Sequence, residues 1–75
     1  MTLDELKQAA ASVAEEMKAA QTMTRDLRER FIDVRTALFR RGIYDPVLVR
    51  FDSATAPKAS KEEIAEQLAT VAASL

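Results

Sequence analysis

The feature that most constrains this chain is a run of apolar and small residues spaced alternately three and four apart from Leu3 to Leu38. Its members are Leu3, Leu6, Ala10, Val13, Met17, Ala20, Thr24, Leu27, Phe31, Val34 and Leu38. Such spacing places side chains on one face of an α-helix and, when sustained, forms the a/d seam of a coiled coil. Read literally, residues 2–41 form one helix of about forty residues, roughly 60 Å long at 1.5 Å per residue. Thr2 and Glu5 make a capping box at its start, with Asp4 and Glu5 facing the positive end of the helix dipole. Arg40, Arg41 and Gly42 end it, the glycine suiting a left-handed C′ position.

Beyond Gly42, residues 43–52 are rich in β-branched and aromatic side chains, and Asp45 is biased toward extended geometry by Pro46. Val47, Val49 and Phe51 alternate with Leu48 and Arg50, which predicts a short strand or extended arm with one buried face. Residues 53–59 read as a loop. Ser60 and Glu63 form a second capping box, opening a helix over 60–74 whose stripe is Ile64, Leu68, Val71 and Leu75. Ile32 and Phe39 widen the apolar arc on the C-terminal half of the long helix. The expectation is that the second helix folds back as a helical hairpin, laying Ile64, Leu68 and Val71 along Ile32, Phe39 and Leu38. The fold class expected is all-α, a single helical domain spanning residues 1–75.

A helix of sixteen residues covers at most ~24 Å of a ~60 Å rod. Leu3, Leu6, Val13 and Met17 then stand in water, at about 1.5–3 kcal/mol for each large side chain. The seam Leu3, Leu6, Val13, Met17, Leu27, Phe31, Val34 and Leu38 therefore calls for a second chain. Charge selects its direction. Residues 1–24 carry four acids and two lysines, residues 25–50 seven arginines and four acids, and residues 51–75 four acids and two lysines. A parallel homodimer sets Arg28, Arg30 and Arg35 near their own copies, which is unfavourable. An antiparallel, coiled-coil-like homodimer centred near Gln21 and Thr22 sets Leu6 against Leu38, Val13 against Phe31, and Glu16 near Arg30. A heteromeric coiled coil is the competing arrangement.

The 75 residues contain no cysteine and no histidine. That removes disulfides, thiolate chemistry, the commonest general base and most zinc ligand sets. Adjacent acids such as Asp4-Glu5, Glu15-Glu16 and Glu62-Glu63 point about 100° apart on a helix and read as solvated faces, not dyads. Ser60 reads as a cap, and Tyr44, following Gly42, as packing on the helix end with recognition as its alternative. No catalytic residue, cofactor or metal site is expected, and so no enzyme. An apolar stretch long enough for a membrane span or secretory signal is missing, so no membrane association is expected and a cytoplasmic location is the default.

The functional expectation is a non-enzymatic helical interaction and oligomerisation module, an assembly or adaptor protein. One alternative is a dedicated partner-binding regulator or chaperone of a larger complex, using Arg28, Arg30, Arg35, Val47, Val49 and Phe51, for instance by strand addition. A weak nucleic-acid binder acting through the arginine-rich half is the second. The interleaved acids and the net charge of −1 weigh against it.

Overall fold

The computed structural model describes residues 1–52 and 57–75. Four helices follow one another: α1 Leu3–Ala19, α2 Arg25–Arg40, α3 Pro46–Val49 and α4 Lys61–Ser74. Helix is the sole regular structure among the described residues, in keeping with the all-α class expected. The expected helix starts are present. Thr2 and Glu5 exchange hydrogen bonds of 3.2 and 3.1 Å, and Ser60 and Glu63 bonds of 3.4 and 3.1 Å. Gly42 takes a φ of 78°. The Gly42 amide donates to the Phe39 carbonyl at 2.9 Å and the Ile43 amide to the Leu38 carbonyl at 3.0 Å, the paired bonds of a Schellman motif.

The single long helix does not form. The chain breaks between Ala19 and Arg25, with Ala20 and Thr24 both extended (ψ 140° and 163°). Thr24 is the N-cap of α2, its hydroxyl accepting from the Leu27 amide at 3.2 Å. Neither glycine nor proline occupies the break; burial decides it. Folding the seam back on itself lets α1 and α2 cover each other within one chain, where a straight rod leaves both wet. The longest principal extent is 30 Å, half that of the expected rod, and the radius of gyration is 11.3 Å. A compact chain of this length has a radius of about 11 Å.

The Glu16–Arg30 pairing expected between antiparallel copies is present inside one chain. Arg30 forms a bidentate ion pair with Glu16, and Arg41 donates to the Met1 carbonyl at 3.0 Å. Both pairs are centred on residues 21–23.

Residues 43–52 are not an extended arm. Asp45, extended as expected before Pro46, accepts from the Val47 and Leu48 amides at 2.9 and 3.3 Å and caps the four-residue α3. Proline at the first helical position suits this start, since its missing N–H needs no partner there. The facing is also reversed: Leu48 is buried, whereas Val47, Val49 and Phe51 are half-buried.

Helix α4 does fold back, but its most extensive packing is along α1. Lys61, at the start of α4, donates to the Met17 carbonyl near the end of α1, so the two run antiparallel and a cation sits at the negative end of α1. Ile64 and Leu68 are fully buried, Val71 half-buried, Ile32 half-buried, and Phe39 remains 40% exposed. The acids of α4 do not reach the arginines of α2 as expected. Among the described residues Arg30 pairs with Glu16, Arg35 with Asp52, and Glu62 with its neighbour Lys61. One core joins Leu6, Ala10, Val13, Ala14 and Met17 of α1 with Leu27, Phe31, Val34 and Leu38 of α2, Leu48 of α3, and Ile64, Ala65, Leu68 and Ala72 of α4. The expected loop 53–59 lies partly outside the described residues.

Candidate functional site: the arginine face and the aromatic end

The seam residues lie within this core. Leu6, Val13, Met17, Leu27, Phe31, Val34 and Leu38 are all buried by the chain itself, and Leu3 alone is exposed, at 44%. The premise that a second chain must cover the N-terminal half is therefore removed, because α2 and α4 cover it.

The arginines expected to be free for a partner are largely engaged. Arg35 holds Asp52 through two bonds of 2.8 and 3.1 Å and donates to the Leu48 carbonyl at 3.2 Å. Its side chain is only 13% exposed, and its guanidinium lies 5.8 Å from the Phe31 ring centroid. It thus clamps the chain leaving α3 onto α2. The Arg35 hydrogen bonds hold the Asp52 carboxyl below the usual range, against the opposing effect of partial burial. Phe51 packs edge-on to Phe31 at 4.8 Å, and Arg28 lies over the outer side of Phe51 at 5.0 Å. In the series Arg28–Phe51–Phe31–Arg35 two edge-on rings lie between two cations, and these contacts fix the α3 turn. The bonds from Arg30 likewise lower the Glu16 carboxyl, and Glu16 in turn raises Arg30. Val47 packs half-buried against the core, Val49 is half-buried, and Asp45 accepts from Gln67 of α4 at 2.6 Å.

What remains outside is gathered elsewhere. The exposed large hydrophobic residues among those described are Met1, Leu3, Phe39 and Tyr44. All four lie where α1 begins and α2 ends, the two joined by the Arg41–Met1 bond. Phe39 and Tyr44 stack with ring centroids 5.2 Å apart and planes inclined by 17°. The turn at Gly42 creates this pair. Its hydrogen bonds bring Ile43 back over Leu38, and Phe39 and Tyr44, each one residue further on, meet on the outside. Tyr44 is 68% exposed, so it covers the helix end while offering most of its surface to solvent. Arg40 and Arg41 follow Phe39 directly, are exposed, and have no acidic partner among the described residues.

A shallow groove between α1 and α4 has a floor of Ala11, Ala14, Ala69, Ala72 and Ala73, with Lys7, Glu15 and Lys18 at its rim. Small residues there let the two helices approach closely, a packing role. No helix among the described residues is long and apolar enough to cross a membrane.

Fold and surface thus define a small all-α bundle with an engaged arginine face and an exposed aromatic end. No family model, curated protein or solved structure matches the chain.

Proposed function

We propose that the chain is a non-enzymatic helical interaction module, an assembly or adaptor protein. It takes hold of a protein partner that presents an apolar anchor flanked by carboxylates. The stacked, solvent-facing Phe39–Tyr44 pair carries this reading. The pair caps the end of α2 yet leaves Tyr44 68% and Phe39 40% exposed, and exposed aromatic surface of this kind supports a contact site. Tyrosine and arginine are also the side chains most enriched at the energetic centres of protein interfaces. Arg40 and Arg41 supply a cationic rim, which selects acidic over basic partners by complementarity. The engagement of Arg30 and Arg35 within the fold argues against a phosphate-tracking face.

The test is fluorescence anisotropy with three probes: an amphipathic Leu/Glu peptide, a Leu/Lys peptide of equal length, and a DNA duplex. The Leu/Glu peptide binds, and the F39A/Y44A variant weakens it at least about tenfold, the loss expected for a hot-spot pair. Equal binding of both peptides, or an unchanged affinity in the double variant, refutes the proposal. Binding of the duplex alone, falling steeply with salt, transfers the function to nucleic acid.

A further inference from the structure

We infer that two copies of this chain exchange α1, with the break between α1 and α2 acting as the hinge. In the exchanged state residues 20–24 become helical and α1 and α2 merge into one helix from Leu3 to Arg40. That helix is about 57 Å long. The α1 half of each copy then packs on α2 and α4 of the other.

Three observations converge on this state. The first is the hinge itself. Ala20-Gln21-Thr22-Met23-Thr24 contains no glycine or proline, and among the described residues only Gly42 has a positive φ. Ala20 (φ −78°) and Thr24 (φ −74°) already lie near the helical φ, so at both ends only ψ must rotate. The second is the seam. Met17, Ala20, Thr24 and Leu27 keep the three-four spacing straight through the break, so a continuous helix keeps all the seam residues on one face. A loop that serves only to reverse the chain has no need of that register. The third is the symmetry of the contacts. Glu16–Arg30 and Met1–Arg41 are both centred on residues 21–23. Two straightened copies crossing antiparallel at that point remake each pair between chains. Short hinges linking elements that can be remade by a copy are the usual setting for domain exchange.

The partner is therefore a second copy of this chain, and the inference does not depend on the aromatic end. Two hinge variants pull the equilibrium in opposite directions. R25P places proline at the first position of α2, where it is tolerated, after a Thr24 that is already extended as a residue before proline prefers. In the merged helix the same proline is interior. T22A/T24A removes the α2 cap and raises helix propensity across the hinge.

The chain is refolded from denaturant over a range of protein concentrations and sized by chromatography with light scattering. Wild type yields a dimer fraction that rises with refolding concentration. T22A/T24A raises it about thirtyfold, because two caps of about 1 kcal/mol are at stake in each dimer, and R25P lowers it about ten-thousandfold, because each dimer holds two interior prolines of about 3 kcal/mol. A dimer indifferent to R25P is a surface contact and overturns the inference; so does T22A/T24A remaining monomeric at every concentration. An independent check uses E16R and R30E, substitutions at an exposed and a half-exposed position. Each alone sets like charges against each other, whereas a mixture is complementary only between chains. A mixed dimer exceeding either variant's own dimer supports exchange, and its absence contradicts it.

Discussion

Replacing Phe31 with alanine tests the central claim that the seam is satisfied within one chain. Phe31 is fully buried, is the largest side chain in the core, and contacts both Phe51 and the Arg35 guanidinium. Truncating a buried phenylalanine costs about 3–5 kcal/mol, the edge-on aromatic pair contributing about 0.5–1.5 of it. A domain of this size has a total stability of about 4–11 kcal/mol at ~0.05–0.15 kcal/mol per residue. F31A therefore removes between about a quarter and all of it. F31L, which keeps most of the volume, costs about 1–1.5 kcal/mol, or roughly 4–12 °C in the melting midpoint.

The assay is urea unfolding followed by circular dichroism, repeated at several protein concentrations in the dilute range. For a seam covered by its own chain, the wild-type midpoint is independent of protein concentration. F31L shifts it to lower urea with the slope unchanged. For a seam covered by another copy, the midpoint rises with concentration by mass action. A concentration-dependent wild-type midpoint, or an F31A variant that loses less than about 1 kcal/mol, refutes the intramolecular core.

Two further outcomes follow from the turn and the ion pairs. Gly42→Ala lowers stability by about 1–2 kcal/mol, measured by the same titration. The residue sits at φ 78°, and a Cβ placed there meets nothing within 4 Å, so the whole cost is conformational. Acidification lowers stability, since the folded Glu16 and Asp52 carboxyls lie below their ordinary values of 4.5 and 3.8. Their contribution is present above those values and is lost as pH falls through the depressed folded ones. D52N removes its share of that acid sensitivity, about 0.2–1 kcal/mol for a pair with a half-exposed carboxylate. An unfolding midpoint with the same pH slope in D52N and wild type contradicts the assignment.

Local chemistry was the part of this fold legible in the residues. Thr2–Glu5, Ser60–Glu63 and Gly42 act through neighbours three or four positions away, so spacing alone reveals them. The Glu16–Arg30 pairing was legible as well, from opposite charge placed about residue 23; what the pattern does not encode is whether the two helices that it joins belong to one chain. A three-four repeat passes unchanged through a short loop built from helix-compatible residues. The signal for the break was Thr24 ahead of Asp26, a cap followed by an acid in the first turn. Residues 43–52 misled differently: in so short a segment the alternation of Val47, Val49 and Phe51 fits a strand, and Asp45-Pro46 was the sign of a capped turn of helix. Phe39 and Tyr44, five residues apart, share no face of a regular helix. Their pairing follows only once the Gly42 turn is built.

The two ways of closing the register differ in one place, and that separates their determinants. Hairpin and exchanged dimer contain the same core and the same Glu16–Arg30 pair, so a change there acts on both alike. The hairpin wins in dilute solution because a short hinge holds α1 beside α2 at an effective concentration on the order of mM. Against this stands the hinge alone: the Thr24 cap, worth about 1 kcal/mol, and the helical bonds that form when residues 20–24 straighten. F31L should therefore lower the stability of both forms and leave their ratio at a given refolding concentration unchanged. T22A/T24A should shift the ratio about thirtyfold, two caps being lost per dimer, with little effect on the core. If F31L moves the ratio as far as the hinge variant does, the dimer has an interface of its own and the shared-contact account is wrong.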